Sequence, residues 1–377
     1  MTPRERLISA LNLEEVDRVP IFPYGIDPFN RKLWMYQYPS YEPLLNLVRE
    51  KCDVMYGHKG GLGIDAGVFL SATSQIKYWS RSHRNGEVTI VKRVIETPKG
   101  PITSITVRRE GFPSRVVKGW IETDEDLERF LSIPYEPPRP DLSFFFEEER
   151  RIGCKAVMSL NAPEPIGIVA PLFLWERFVK RVYRDKETIL QLTEIIFERA
   201  YDFLRYILSK GVKAIFWLIG PEYVAPPLFH PRFFEEFVVN FDSKLVKLIH
   251  EYGSKAIIHC HGRVNMILEH LASIGIDGLH PVEQPPLGDT PLKEAKRRIG
   301  DRVCIVGNID IGDILTSSSE EMERKVKKAI REGGPDGLIL STTASPHWWP
   351  LPERAYQNYV RFVETARRYG RGPVRIG

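Results

Sequence analysis

Short apolar runs along this chain alternate with longer stretches in which apolar residues recur at helical spacing. Beyond residue 150 the beat is regular. Candidate strands at 155–160, 213–218, 255–260, 277–280, 302–307 and 337–340 are separated by helical patterns at 186–208, 231–252, 264–274, 291–299 and 320–332. Two earlier strands are read at 18–24 and 53–56, with a helix over 41–51 between them. Thr2, Pro3 and Glu5 mark a capped helix start, followed by Leu7, Ile8, Ala10 and Leu11 at helical spacing. Eight short apolar strands followed by amphipathic helices predict an α/β fold, a (β/α)8 TIM barrel. A doubly wound open sheet is the alternative, but no G-x-G-x-x-G follows the first strand.

The texture changes between residues 75 and 117. β-branched residues alternate with charges in Val88-Thr89-Ile90-Val91 and in Ile102 to Val107, separated by Pro98-Lys99-Gly100. This predicts a hairpin or small antiparallel sheet inserted after the second strand, closed by the Pro-rich stretch 134–140. The expectation is one barrel domain over 1–377 carrying that insertion.

In such a barrel the C-terminal ends of the strands carry the chemistry. Strand five ends in Ile257-Ile258-His259-Cys260-His261-Gly262. Side chains alternate along a strand, so His259 and His261 fall on one side. Two imidazoles at a strand exit can bind a metal, move protons or hold a substrate oxygen. The other exits offer Tyr24 and Asp27, Tyr56 and His58, Asn161 and Glu164, Glu222 and Tyr223, His280 and Glu283, Asn308 and Asp310, and Ser341 to Thr343. A single Asn or Asp after a strand commonly caps a turn or helix. Glu222 and Glu283 stand apart because each sits among prolines and apolar residues, where a free carboxylate is costly.

The candidate catalytic set is therefore His259, His261, Glu222 and Glu283. Tyr24, Asn161, Tyr223, Asn308 and Trp348 are candidates for substrate binding. His259, His261 and Glu222 could together hold zinc. Trp217, Tyr223, Phe229, Trp348 and Trp349 are expected near the same face, which would suit a flat organic substrate or a planar cofactor.

Composition narrows the class without choosing a chemistry. The 53 basic and 49 acidic residues leave a net charge of +4, and the basic residues are scattered along helical segments. No clustered basic face points to nucleic acid. The four cysteines, Cys52, Cys154, Cys260 and Cys304, are widely spaced and form no C-x-x-C pair, which favours a reducing cytoplasm. No run of about 20 apolar residues suggests a membrane span, and no apolar signal core follows Met1.

The residues Thr2-Pro3-Arg4-Glu5-Arg6-Leu7 and Asp17-Arg18-Val19-Pro20 resemble the start of uroporphyrinogen decarboxylase superfamily proteins. So do Gly275-Ile276-Asp277-Gly278, Pro281-Val282-Glu283, Gly288-Asp289, Lys296, Gly300-Asp301-Arg302, Gly307-Asn308-Ile309-Asp310 and Leu338 to Ser341. The resemblance spans almost the whole chain and itself implies a (β/α)8 barrel. One branch of that superfamily decarboxylates porphyrinogens without a cofactor, using an arginine-rich segment after the first strand. Here that region reads Pro23 to Arg31 and lacks the arginine pair.

The other branch moves methyl groups to or from a corrinoid (cobalamin) held on a separate corrinoid-binding protein. Its thiol-methylating members bind zinc through an H-x-C motif and a later cysteine. In this chain His261 stands at the first of those cysteines, and Ala344 lies near the second. The resemblance thus implies a demethylase-type methyltransferase, for example an O-demethylase of methoxylated aromatic compounds. It further implies a corrinoid protein as partner and a homodimer. The alternative is a cofactor-independent decarboxylase or lyase acting on a small carboxylic acid, with Arg263 as the nearest clamp.

Overall fold

The computed structural model describes residues 1–57, 62–109, 112, 114–334 and 336–371. His58, expected at the second strand's exit, lies outside the described residues. The chain falls into two compact units, one comprising 1–63, 142–162 and 207–377, the other 64–141 and 163–206.

The first unit is the barrel. Its strands are β1 (Ile21–Phe22) and β2 (Val54–Tyr56), then β7 (Ala156–Ala162), β8 (Ile215–Ile219), β9 (Lys255–Cys260), β10 (Gly278–Pro281), β11 (Cys304–Ile309) and β12 (Leu338–Thr342). The four numbers between belong to the second unit. All barrel pairings are parallel, in the order β1-β12-β11-β10-β9-β8-β7-β2. The ring is nearly closed, because Asp53 N–H donates to the Ile21 carbonyl at 2.8 Å.

Its interior is filled by Phe22, Met55, Val157, Trp217, Ile257, Val306 and Ile339, joined by Leu7 and Leu11 from the helix Pro3–Leu11. Full burial contributes about 1.5–3 kcal/mol for each large aliphatic side chain. Gly278 is closely packed: a Cβ there would lie 3.1–3.2 Å from Leu11, Ile257 and Val306, which would have to give by a few tenths of an ångström.

Several element boundaries differ from the pattern. The first strand is two residues, not the seven of 18–24, because Pro20 and Pro23 flank it and have no N–H to give the ladder. Strands β11 and β12 run further than 307 and 340. Asn308 pairs with Ser341 and Ile309 with Thr342, so polar residues read as loop belong to the sheet. The expected helix over 231–252 is helical at Pro231–Phe234 and at Asn240–Glu251, with a π turn at Glu235–Val239 between them.

The family-like opening of the chain folds into the N-terminal end of the barrel. Asp53 is fully buried and accepts from Arg6 Nη1 at 2.5 Å, from Arg18 Nη1 and Nη2 at 2.7 and 3.0 Å, and from Ile21 N at 2.9 Å. Asp277 works similarly at the foot of β10, accepting from Lys255 Nζ at 2.8 Å and Ala256 N at 2.7 Å beside His250 Nε2. Lys296 donates to the carbonyl oxygens of Asp336 and Gly337. These charged residues hold strands together, far from the strand exits.

The second unit contains a four-stranded antiparallel sheet, β3 (Lys77–Asn85), β4 (Val88–Thr97), β5 (Gly100–Arg109) and β6 (Arg115–Lys118), in that order. A two-residue turn, Pro98-Lys99, joins β4 to β5, and Gly100 takes φ +115°, a conformation side chains resist. The edge strand β3 is almost wholly exposed and carries Lys77, Arg81, His83 and Arg84, charges that discourage edge-to-edge pairing. Helices at Asp124–Leu131, Pro165–Val169 and Trp175–Arg184 and most of Lys186–Ser209 complete this unit.

Candidate active site

The register of β9 and β10 sets His259 beside His280. Their Nδ1 atoms lie 2.8 Å apart, and His280 Nε2 is 3.0 Å from the Thr342 carbonyl oxygen. The Tyr24 ring stacks near-parallel on both, with centroids 5.3 Å from His259 and 4.5 Å from His280. Its backbone N–H is anchored by Thr342 Oγ1 at 3.1 Å. Burial raises the Tyr24 phenol above its ordinary range, and the charge of Glu222 adds to the shift. Tyr24 is thus a wall for the histidine pair.

His261 follows immediately after β9, with its ring 4.6 Å from His259 and nearly perpendicular to it. Its Nδ1 lies 3.0 Å from Glu283 Oε1, and Glu283 Oε2 accepts from Gly262 N at 2.7 Å. Burial works to raise the Glu283 carboxyl. The hydrogen bond and charge of His261, with the Gly262 N–H, outweigh it and leave Glu283 below its usual value. Between His280 and Glu283, Val282 takes φ +51°, where a β-branched residue is strained.

Glu222 behaves oppositely. It sits in a single turn, Pro221–Val224, after β8, and its Oε2 is buried without a hydrogen-bond partner. Burial raises its pKa and the Glu283 charge reinforces this, against the opposing charge of His261. Two carboxyls within electrostatic reach of one histidine are therefore displaced in opposite directions. One is inclined to keep a proton, and the other stays an anion.

Asn308, at the end of β11, is 6% exposed. Its Nδ2 reaches the Val282 carbonyl at 3.4 Å, while Oδ1 has no partner. The preceding Gly307 is obligatory, since a Cβ there would lie 2.2 Å from the Pro281 oxygen. Asn308 and Glu283 also line a cavity of about 280 Å³ with Asp310, Thr343, Lys325 and Lys328.

The remaining candidates scatter. Asn161 is exposed near the end of β7, and Tyr223 is half-buried beside Glu222. Trp348 is half-buried, with its carbonyl accepting from Tyr41 Oη at 2.9 Å. Glu164 and Asp310 are helix caps, accepting from Ile166 N and Gly312 N.

The expected aromatic face does not form as one surface. Trp217 lies fully buried in the barrel interior with Nε1 donated to Ser159, and Phe229 packs on Phe233. Trp349 pairs instead with Trp34. The proposed zinc set of His259, His261 and Glu222 does not fit a metal either. Among the described residues, no group of three His, Cys, Asp or Glu is arranged to hold one.

His280 is the residue the sequence pattern undervalued. It stood at a strand exit, but only the β9–β10 register shows that it meets His259.

A family model described as Uroporphyrinogen decarboxylase (URO-D) matches residues 166–369, more than half of the chain. The chain belongs to the uroporphyrinogen decarboxylase family. It is 29% identical over 182 residues to the methylcobamide:CoM methyltransferase MtaA of Methanosarcina barkeri, covering 48% of this chain and 51% of that protein. It is 26% identical over 139 residues to the uroporphyrinogen decarboxylase of Trichodesmium erythraeum, covering 36% of each. The chain thus spans about half the length, or less, of these relatives. Part of the chain is thus similar to a protein named as a methyltransferase. Among solved structures, a methyltransferase from Methanosarcina mazei matches with a TM-score of 0.60 at 18% identity, over 98% of this chain and 99% of that one. At that identity the likeness concerns the barrel fold. No helix among the described residues is long and apolar enough to cross a membrane.

Proposed function

We propose that this chain is a methyltransferase. It moves a methyl group from a small methylated compound, such as a methoxylated aromatic, to a corrinoid carried by a separate protein. The observation that carries this reading is Glu222, a half-buried side chain with one buried, unpartnered carboxyl oxygen and a raised pKa, facing the charges of His261 and Glu283. Taking a methyl group from an ether oxygen leaves an oxyanion, and a carboxyl whose proton affinity burial has raised is suited to supply the proton it needs. The likeness to a protein named for methylcobamide chemistry supports a corrinoid as the second reactant.

A corrinoid presented at the strand exits would supply the cobalt that takes up the methyl group. The chain's own residues do the rest. Glu222 donates to the departing oxygen. The Glu283 carboxylate holds His261 through Nδ1, turning Nε2 toward proton exchange. Asn308 and Tyr223 orient the substrate, with Asn161 and Trp348 further out. Positioning of this kind supplies much of the acceleration in displacement at carbon.

The test incubates the protein with a panel of methoxybenzoates and free cob(I)alamin, following the corrinoid spectrum. Formation of methylcobalamin together with the free phenol is expected, and loss of both in His261→Ala. Turnover by the protein without any corrinoid would replace this reading with the decarboxylase or lyase alternative. That alternative needs a cation in the cleft; Arg263, the candidate offered by the sequence, is exposed, whereas Lys325 and Lys328 line the cavity beside Glu283.

A further inference from the structure

We infer that the open face of the antiparallel sheet docks a second protein, through a carboxylate-rich surface on that partner. Segment 77–118 carries ten lysines and arginines against three glutamates, in a chain whose net charge is only +4. Side chains alternate between the faces of a sheet, so the pairing register decides where these charges go. One face is buried at Val91, Ile95, Ile102 and Thr106. The other gathers cations.

On that open face Arg81 pairs with Lys92, Lys92 with Ile105, and Ile105 with Lys118, which puts three cations in one row of four. The next row runs His83, Ile90, Val107 and Arg115. Arg81, His83, Lys92 and Arg115 are exposed, and so is Ile90. Like charges set directly opposite one another destabilise a sheet. Among the described residues, none of Arg81, Lys92 and Arg115 is paired with a carboxylate. Lys118 is held by the Thr103 carbonyl and hydroxyl at 2.9 and 2.7 Å, which leaves its charge in place. A row of opposed cations that the fold does not offset is an arrangement a complementary anionic surface relieves.

The same face favours a protein over a nucleic acid. Single-stranded nucleic acid stacks its bases on open aromatic rings. The large ring here, Trp79, already carries the Arg81 guanidinium over it, 5.1 Å from the ring centroid. Ile90, Ile105 and Val107 instead place aliphatic surface between the cations, which suits a partner that mixes carboxylates with apolar contacts. Under the proposed function, on which this identification alone rests, that partner is the protein carrying the corrinoid.

Fluorescently labelled poly-L-glutamate, titrated against the full chain at low salt, is the probe. Wild-type binding that weakens as salt is raised is expected. Arg81→Ser/Lys92→Ser should weaken it roughly tenfold, the loss of two exposed ion pairs. Removing the same charge from exposed positions on barrel helices, in Lys247→Ser/Lys293→Ser, should leave it nearly unchanged. Lys92→Glu sets a carboxylate opposite Arg81, so it should weaken binding while the melting temperature stays level or rises.

No binding by the wild type overturns the inference, as does an equal loss in the two double variants or a lower melting temperature in Lys92→Glu. Preference for an oligothymidylate of equal charge, or for phosphatidylglycerol vesicles, also overturns it, in favour of nucleic acid or membrane. Methyl transfer to free cob(I)alamin should be unchanged in Arg81→Ser/Lys92→Ser. Poly-L-glutamate binding without any methyl transfer would leave the docking face standing and sink the functional reading, and methyl transfer without that binding would do the reverse.

Discussion

Replacing Asp53 by alanine tests whether the family-like opening of the chain is structural. Asp53 accepts four hydrogen bonds, from Arg6, twice from Arg18, and from Ile21 N. Arg6 would keep its pairing, since Asp17 Oδ1 and Oδ2 lie 2.6 and 2.8 Å from Nε and Nη2. Arg18 would keep only the Val19 carbonyl at 3.0 Å, with its side chain 12% exposed. The variant therefore strands one guanidinium and leaves the Ile21 N–H without its acceptor at the β1–β2 seam. Breaking a buried ion pair from one side costs about 3–5 kcal/mol.

For a chain of 377 residues the unfolding entropy is on the order of 0.8 kcal/mol per kelvin, so the melting temperature should fall by about 4–6 °C. Differential scanning calorimetry checks this. The double variant Asp53→Ala/Arg18→Met should recover part of the loss, because it removes the stranded charge. Methyl transfer per folded molecule should not change. A melting point within about 1 °C of wild type, or strictly additive single effects, would refute the assignment of this network to barrel closure.

Two further outcomes follow from the displaced carboxyls. Glu222→Gln keeps the shape and a hydrogen-bond donor but cannot release a proton, so kcat should drop about 10²–10⁴-fold with KM little altered; steady-state kinetics would show this, and undiminished kcat would exclude Glu222 as the acid. Asp27 is raised from 3.8 to about 6, chiefly by burial, against hydrogen bonds from Gly57, Phe29 and Asn30. The folded state then binds the proton more tightly than the unfolded one. Its contribution to stability is complete below pH about 4 and is lost as pH rises to about 6, an effect on the order of 3 kcal/mol. Urea midpoints across that range should show a slope in the wild type that Asp27→Asn removes, and parallel curves would contradict the shift.

Much of the barrel was legible because its signal is local. Residues 255–260 could be bounded without error as β9: the apolar run is flanked by Gly253-Ser254 on one side and Gly262 on the other. The paired imidazoles at its end were visible for the same reason, since strand alternation operates within one segment. The first strand was overestimated because two prolines cut its ladder. Trp217 and Phe229 were read as facing a cleft, although nothing in their own segments distinguishes an inward-facing strand residue from a wall of the mouth.

The sequence alone therefore determined the strand and helix order, the family and the position of His259, His261, Glu222 and Glu283 at strand exits. These follow from periodicity and motif order, which are properties of neighbouring residues. Tertiary structure decided which of them meet. His280 joins His259 because β9 and β10 pair in one register, Glu283 reaches His261 from the next strand, and Glu222 keeps an unpartnered oxygen because its turn folds into a buried position. Hydrogen bonds and shifts in proton affinity depend on distances of a few ångströms between residues 20 to 80 positions apart, and only the closed sheet sets those distances.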